Sequence, residues 1–200
     1  MWKPGSAAFL RRAGDFMITQ RQQKMRDIVE SVHGKDDSAE GRRVTVRYAA
    51  REDLQEVNAL RRMVSELHAE GRPDIFRPGF CEELRQRAER MLEAPEYDVI
   101  VADMDGRVCG FAIVQYVDRP ESAYLRAQRF CHIEEFGVES GCRRCGVGTA
   151  LIAFCRAEAR RRGFERLTLD VWAFNEAAQK FYEAAGFRAY RSFLELAHSE

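Results

Sequence analysis

The sequence lacks any apolar run long enough to cross a bilayer, and it lacks an excess of either charge. A membrane-spanning helix needs about 20 consecutive apolar residues, so we expect no membrane span. Lys and Arg together number 32, and Asp and Glu also number 32, which gives a formal net charge of zero. A dedicated nucleic-acid binder carries a dominant basic field, so this balance argues against nucleic acid as a partner.

Lysine and glycine are missing where two common nucleotide-binding motifs need them. No lysine occurs between Lys35 and Lys180, which excludes a Walker-type phosphate loop ending in Gly-Lys-Ser/Thr. A dinucleotide fingerprint needs a third glycine three residues after the second, and after Gly146 and Gly148 that position holds Leu151. Neither motif therefore explains the glycines of this chain.

A convincing signal peptide is also missing, and the six cysteines are spread among predicted strands, helices and one loop. Disulfide frameworks are typical of small secreted domains, so we expect reduced thiols and a cytoplasmic location. Cys142 and Cys145 form a C-x-x-C with Cys131-His132 upstream, and these are residue types that bind zinc. Because the pair falls inside a predicted phosphate loop, we expect no metal.

The sequence does contain enough apolar residues for one ordinary domain. Hydrophobic residues make up 46% of the 200 positions and charged residues 32%, so a core can form. Residues 1–42 are predicted to be an N-terminal extension and linker, disordered in part, because they end in a polar, breaker-rich stretch. The domain is predicted to span residues 43–200, and Met17 or Met25 stays open as the true start.

Hydrophobic periodicity predicts one mixed α/β sheet covered by helices. The elements follow the order strand, two helices, three strands, helix, strand, helix, strand. The predicted strands are 44–48, 97–103, 107–117, 130–138, 166–171 and 187–196. The predicted helices are 51–67, 80–93, 146–162 and 176–185.

The segment Arg143–Gly148, with the pattern R-x-x-G-x-G, follows a strand and opens a helix. The first amides of a helix have no partner within it, and the helix dipole is positive there, so such a turn binds phosphate. A side chain at Gly146 or Gly148 would keep a diphosphate away from the backbone. Arg143 and Arg144 can add bidentate contacts to the same oxygens.

A second block near the C terminus gives this loop its context. The strand ending Ile133-Glu134-Glu135-Phe136-Gly137-Val138 precedes the loop by five residues, and Asn175 precedes Phe181-Tyr182-Glu183-Ala184-Ala185-Gly186-Phe187. Together, from about residue 43 onward, these blocks resemble the GNAT superfamily of acetyl-CoA-dependent N-acetyltransferases. Position 144, often glycine in the family, is Arg144 here. The resemblance implies a mixed sheet of roughly six or seven strands flanked by about four helices.

The resemblance implies acetyl-CoA as cosubstrate and acetyl transfer to a primary amine by direct attack in a ternary complex. The backbone N–H groups near Val138 are expected to hold and polarise the thioester carbonyl. The residues that the resemblance assigns to CoA binding are Phe136, Gly137, Val138, Arg143, Arg144, Cys145, Gly146, Val147, Gly148, Thr149, Asn175 and Tyr182.

Tyr182 matches the family's acid, which protonates the leaving thiolate, and a phenol is well suited to that task. For the base, the comparison favours Glu134, acting directly or through a water. Glu135 is its neighbour, and pleating is expected to send the two carboxylates to opposite faces, so that only one enters the cleft easily. Asp170 is the rival on the following strand, and a relay through His132 or a water chain without a dedicated base stays open.

Other functions also stay open at this point. One alternative is a CoA-binding regulatory or interaction module of the same fold without turnover. A ping-pong route through a cysteine is disfavoured, because no cysteine has a recognisable base partner in the sequence. The acceptor is expected to be a small-molecule or peptide amine, and polyamines, aminoglycosides, amino acids, peptide N termini and protein lysines are all compatible. The resemblance also allows a homodimer.

Overall fold

The computed structural model describes residues 43–196, so the predicted N-terminal extension lies outside the described residues. Its five strands are β1 (Val44–Tyr48), β2 (Tyr97–Met104), β3 (Arg107–Arg119), β4 (Gln128–Val138) and β5 (Leu167–Leu169). Its four α-helices are α1 (Leu54–Gly71), α2 (Glu82–Glu93), α3 (Val147–Arg161) and α4 (Glu176–Ala184). The mixed α/β class and all four predicted helices are confirmed, with ends that differ by a few residues.

The strands form a single sheet in the order β1-β2-β3-β4-β5. The first four pair antiparallel with their neighbours, and β5 joins the edge parallel to β4. Parallel pairing needs a crossover, which here is the loop and helix α3 between β4 and β5. Within residues 43–196, no helix is both long and apolar enough to cross a bilayer.

Helices cover both faces of the sheet and separate two apolar layers. On one face, Val57 and Leu60 of α1 and Met91 of α2 pack against Phe111 and Ile113 of β3. On the other face, α3 buries one whole stripe against β1 to β4. That stripe consists of Val147, Leu151, Ile152, Phe154, Cys155 and Ala159. We call these two surfaces the α1/α2 face and the α3 face.

The predicted terminal strand at 187–196 is wrong, and within residues 43–196 the sheet has five strands rather than six or seven. Strand β5 has only three residues, so the edge beside it offers few backbone groups for another strand. The segment instead runs to the end of α1, where Arg72 Nη1 lies 2.9 Å from Glu195 Oε2. Phe187 still packs against the core, but the later apolar side chains stay outside it, and Phe193 is 99% exposed.

Leu151 is central to the α3 face and has no exposed surface. Replacing it with alanine leaves a cavity between α3 and the sheet, so we expect Leu151→Ala to lower the free energy of unfolding by about 2–5 kcal/mol. Urea denaturation measures this change. Arg156→Ala, at an exposed position of the same helix, is the control and should stay within about 0.5 kcal/mol of the parent. Equal effects of the two changes would contradict this packing.

Candidate active site

Strands β4 and β5 separate soon after they meet, and this leaves one edge of β4 open. Their pairing covers only Cys131, His132 and Ile133 on β4 and Leu167, Thr168 and Leu169 on β5. From Glu135 to Val138, β4 still pairs with β3 on its other side. The backbone groups of this last part that point toward β5 therefore have no strand partner. A ligand in the gap would find unpaired strand amides beside it.

The predicted phosphate loop lies at the end of this open edge. After β4, one turn of 3-10 helix (Ser140–Cys142) leads into a turn that places Arg144 and Gly146 at φ of 62° and 82°. Helix α3 begins at Val147, with Gly146 as its N-cap. The first amides of this helix have no acceptor within it, so they and the positive end of the dipole face the loop.

The two glycines of the loop serve different purposes. Gly146 is exposed, adopts a left-handed backbone conformation, and has open space where a Cβ would stand. That is the property predicted for a close phosphate contact. Gly148 is different, because a Cβ there would lie 3.0 Å from Cζ of Phe181. Its lack of a side chain lets α4 pack against the start of α3, which the prediction did not anticipate.

The other side chains of the loop are arranged around its exposed surface. Arg143 and Arg144 are both exposed, and Arg143 Nε lies 3.5 Å from the carbonyl oxygen of Val138. Val147 is buried, Gly148 is half-buried and Thr149 is exposed. The guanidinium groups are therefore free to contact anionic oxygens outside the loop.

The C-x-x-C pair of the loop points in two directions. Cys142 is buried and its Sγ lies 3.6 Å from Glu139 Oε2, whereas Cys145 is exposed. Residues 43–196 contain no group of three or more His, Cys, Asp or Glu side chains arranged to hold a metal ion. The two thiols thus do not converge on one site.

Helix α4 brings Tyr182 to the α3 face, and Asn175 caps its start. Asn175 Oδ1 accepts a hydrogen bond of 3.1 Å from the amide of Ala178, which is an N-cap interaction. The Tyr182 ring contacts Phe136 of β4, with 6.0 Å between centroids, and Phe187. The alternation of β4 thus turns Phe136 toward α4 and the following Gly137 toward Phe111 and α1.

The hydroxyl of Tyr182 has no hydrogen-bond partner among the described residues. Among residues 43–196, every buried side-chain nitrogen or oxygen has a hydrogen-bond partner. Because the Tyr182 hydroxyl has no such partner, it is not buried and is accessible to solvent. Burial of the ring nevertheless raises the pKa of Tyr182 to about 12. The phenol is therefore protonated across the neutral range and available to an incoming ligand.

A β-bulge changes the predicted orientation of the two adjacent glutamates. Ile113 pairs with Glu135 and Val114 with Ile133, so Glu134 is an extra residue in β4. Glu134 and Glu135 both contact helices of the α1/α2 face, which overturns the expectation that pleating separates them. The regular alternation of a strand fails at a bulge, and nothing in the local sequence marks this one.

Both glutamates are held by arginines. Arg61, with a side chain only 2% exposed, donates from Nε and Nη2 to the two oxygens of Glu135 at 2.7 and 2.8 Å. Arg87 donates to Glu134 Oε2 at 2.8 Å, and the Tyr97 hydroxyl donates to Oε1 at 3.1 Å. Each glutamate thus has both oxygens occupied and its charge compensated.

Asp170 lies directly after β5, on the other side of the gap from Glu135. Its side chain is 83% exposed, and its ionic partner among the described residues is His132, with Nε2 3.7 Å from Oδ2. His132 Nδ1 lies 3.0 Å from Thr168 Oγ1, which fixes the ring beside the start of the gap. Of the three carboxylates predicted as candidates for the base, Asp170 therefore has the fewest contacts with other side chains.

Three features of the site were missed by the sequence reasoning. Two are the arginines Arg61 and Arg87, and the third is a group of rings between α1, the loop after it and the end of β5. Arg61 did leave a signal, since it falls four residues after Val57 on the buried stripe of α1. The rings left none, because their contacts join segments about 100 residues apart.

Comparison with known proteins gives one family and one recurrent fold. Residues 61–187 match the profile of the Acetyltransferase (GNAT) family. An aminoglycoside N(6')-acetyltransferase type 1 from Klebsiella aerogenes is 29% identical over 120 residues, which cover 58% of this chain and 78% of that protein.

Solved structures share this architecture. The tetramutant of the BH1408 protein from Bacillus halodurans has a TM-score of 0.73 at 24% identity, covering 77% of this chain and 99% of that one. The aminoglycoside N-acetyltransferase AAC(6')-Iy in complex with CoA has a TM-score of 0.64 at 20% identity, covering 80% and 98%. These likenesses establish the fold.

Gly146 provides the first test of the loop. Gly146→Asp forces a side chain into the left-handed region and sets a negative charge against the diphosphate, so the Kd for CoA should rise at least about tenfold. Isothermal titration calorimetry measures the change. Gly141→Asp adds the same charge at an exposed glycine without a positive φ, and it should change Kd much less. An unchanged Kd for Gly146→Asp would refute the assignment of the loop.

The Arg61–Glu135 pair allows a test by double substitution. Arg61→Met leaves a half-buried carboxylate without its cation, so we expect the free energy of unfolding to fall by about 2–3 kcal/mol. Combining it with Glu135→Gln should recover part of the loss, because the unpaired charge is then gone. The exposed Arg62→Met is the control. Additive losses in the double variant, measured by urea denaturation, would show that the two side chains do not act as a pair.

Proposed function

This chain belongs to the GNAT acetyltransferase family, and we propose from that premise that it transfers the acetyl group of acetyl-CoA to a primary amine by direct attack in a ternary complex. Membership makes it an acetyl-CoA-dependent acyltransferase. The amine acceptor and the direct route belong to the proposal. The open edge of β4 beside the start of α3 is the observation that carries it.

The residues around the gap fit acetyl-CoA. Exposed Gly146 leaves room for phosphate oxygens next to the first amides of α3. The exposed guanidinium groups of Arg143 and Arg144 can pair with the negative charge of the same phosphates. The unpaired amides near Val138 are donors for the thioester carbonyl. When bound, acetyl-CoA supplies the acetyl group as an activated thioester, and the chain supplies its orientation and the proton transfers.

Tyr182 is proposed as the acid. As the amine nitrogen forms its bond to the carbonyl carbon, the C–S bond breaks and the sulfur needs a proton. A phenol whose pKa is raised to about 12 by burial is fully protonated at neutral pH. Its hydroxyl has no competing partner among the described residues, and its ring packs on Phe136 of β4.

Asp170 is proposed as the group that takes the proton from the acceptor, directly or through a water. A primary ammonium with a pKa near about 10.4 must lose a proton before it attacks. Glu134, the residue favoured by family resemblance, and Glu135 each have both oxygens engaged by other side chains. Asp170 has no arginine or lysine partner among the described residues, and His132 at its side offers a path to solvent.

The arrangement of the cysteines argues against a ping-pong route. Burial raises the pKa of Cys109, Cys131 and Cys155 to about 12 each, so these thiols are poor nucleophiles. Cys81 and Cys145 are exposed. Within the described part of the chain, neither has a histidine or carboxylate hydrogen-bonded to its sulfur.

The acceptor class is proposed to be a small amine. Several relatives are named as aminoglycoside N-acetyltransferases, and one of these has been solved in complex with a bisubstrate analogue of CoA and monomethyl-acetylneamine. Those substrates are amines of small molecules. Their identity with the acceptor of this chain does not follow, because the walls of an acceptor cleft vary within a fold.

Tyr182→Phe tests the proposed acid. Loss of the hydroxyl should lower kcat at least about 100-fold, with the Kd for CoA changed little, because the ring and its packing remain. Release of free thiol from acetyl-CoA over a panel of primary amines measures the rate. Glu134→Gln is the comparison and should cost far less than Asp170→Asn. Equal rates for wild type and Tyr182→Phe would remove Tyr182 from the mechanism.

The pH profile gives an independent check of the same residue. Since the pKa of Tyr182 is about 12, the phenol stays protonated well above neutral pH. The rate should therefore rise with pH as the acceptor loses its proton, without an alkaline decline up to about pH 10. A decline centred near pH 8 would mean that another acid protonates the sulfur.

A further inference from the structure

Thr168 of β5 contacts His132 of β4 just before the two strands separate. The register pairs these two residues, and the pairing ends one step later at Ile133 and Leu169. His132 Nδ1 lies 3.0 Å from Thr168 Oγ1, which is a hydrogen-bond distance. The other ring nitrogen, Nε2, lies 3.7 Å from Oδ2 of Asp170, the first residue after β5. The imidazole is therefore held between a hydroxyl and a carboxylate.

The Thr168 hydroxyl has a second neighbour, which bears on where the hydrogens lie. Its Oγ1 donates to the backbone carbonyl oxygen of Cys131 at 3.2 Å. A hydroxyl has one hydrogen and a carbonyl oxygen can only accept, so this contact uses the hydrogen of Thr168. A lone pair of Oγ1 is then left for His132 Nδ1, and that contact is a hydrogen bond only if Nδ1 carries the hydrogen. The arrangement favours the Nδ1–H tautomer of His132.

This tautomer leaves the free nitrogen of the ring on the side of Asp170. In a neutral imidazole with its hydrogen on Nδ1, the basic lone pair is on Nε2. The separation of 3.7 Å from Asp170 Oδ2 is longer than a direct hydrogen bond. The side chain of Asp170 is 83% exposed, so it has room to move toward Nε2, whereas the His132 side chain is only 23% exposed and is held by Thr168.

We propose that Thr168 is a positioning residue that keeps His132 in the Nδ1–H tautomer and aims Nε2 at Asp170, so that His132 relays the proton released by the acceptor. This inference rests on the proposed function, in which Asp170 takes that proton. An N–H bond of the ammonium breaks as an O–H bond forms on Asp170, and the proton then moves from that oxygen to Nε2. The imidazolium releases it from Nε2 to solvent, while Nδ1–H stays bonded to Thr168.

The relay has a chemical reason. An imidazole is ordinarily a stronger base than a carboxylate, so transfer of the proton from a carboxylic acid to an imidazole is favourable. The transfer returns Asp170 to its charged form, ready for the next ammonium group. It needs Nε2 without a hydrogen, and the opposite tautomer would present Asp170 with a donor instead of an acceptor.

Nitrogen NMR tests the tautomer in the unmodified protein. At about pH 9, where an imidazole is ordinarily neutral, protonated and bare ring nitrogens have distinct chemical shifts. The His132→Gln variant assigns the signals. We expect the hydrogen on Nδ1 in the parent and a larger share of Nε2–H in Thr168→Val, which keeps the β-branched shape and removes the hydroxyl. A parent with its hydrogen on Nε2 would overturn the inference, even if Thr168→Val fails to fold.

Turnover tests whether this contact matters for acetyl transfer. The probe is whichever of propylamine, spermidine and kanamycin releases thiol from acetyl-CoA fastest. Thr168→Val should lower kcat about tenfold and leave the Kd for CoA within about twofold. Thr168→Ser keeps the hydroxyl, so its kcat should stay within about threefold of the parent. Equal losses in Thr168→Ser and Thr168→Val would overturn the inference, because the hydroxyl would then have no special part.

Thr45→Val is the matched control. It makes the same substitution at a half-buried position of β1, at the other edge of the sheet, and should leave kcat within about twofold of the parent. A tenfold loss in Thr45→Val as well would assign the effect of Thr168→Val to general damage of the sheet and overturn the inference.

A double variant shows whether Thr168 acts through His132. His132→Gln removes the relay and should lower kcat about tenfold. Adding Thr168→Val to His132→Gln should then cost less than about a further twofold, since the residue that Thr168 positions is already gone. Equal costs of Thr168→Val in the two backgrounds would overturn the inference.

These measurements distinguish failure of the inference from failure of the proposed function. If the parent binds CoA and releases no thiol with any of the three amines, the proposed transfer fails and the inference fails with it. If the parent turns over an amine and Thr168→Val has the same kcat, the transfer stands and Thr168 has no part in it.

Discussion

Backbone pairing between β4 and β5 stops after three residues, and the site follows from that early separation. Backbone donors inside a folded domain are costly when they have no acceptor, so the free edge of β4 needs water or a ligand. The start of α3 adds its own unpaired amides at the end of the same edge. One end of the sheet thus holds a continuous line of donors, which suits a ligand with a carbonyl group and a diphosphate.

Arginine side chains determine which carboxylates beside β4 are already paired and which are left to contact a second substrate. Arg61 and Arg87 engage the two glutamates that the bulge turns to one face, and both pairs bridge a helix to β4. The buried guanidinium of Arg61 demands such a partner, so removing Glu135 would leave a buried charge at the contact of α1 with the sheet, whereas Arg87 is half-exposed. Asp170, outside both pairs, is left as the reactive carboxylate in our proposal. In our proposal, the structural and chemical tasks are thus divided among these three acids.

The helices, the first five strands and the glycine-rich turn between β4 and α3 could be predicted because their signals are local: periodicity, a pair of glycines and an N-cap. The absence of the terminal strand could not be predicted, because a strand there would have to pair with β5, which has only three residues. The bulge at Glu134 depends on register with β3, and the partner of Arg61 lies 74 positions away. Such pairings are decided by tertiary packing, which a single sequence does not display.

Gly148 links two parts of the molecule that are usually considered separately. Its missing side chain lets Phe181 rest on the first turn of α3, and the next residue of α4 is Tyr182. The spacing between the glycine-rich turn and the phenol therefore depends in part on how closely Phe181 approaches Gly148. A side chain at this glycine would press on the Phe181 ring, so in our proposal one substitution there would disturb both the binding of CoA and the position of Tyr182.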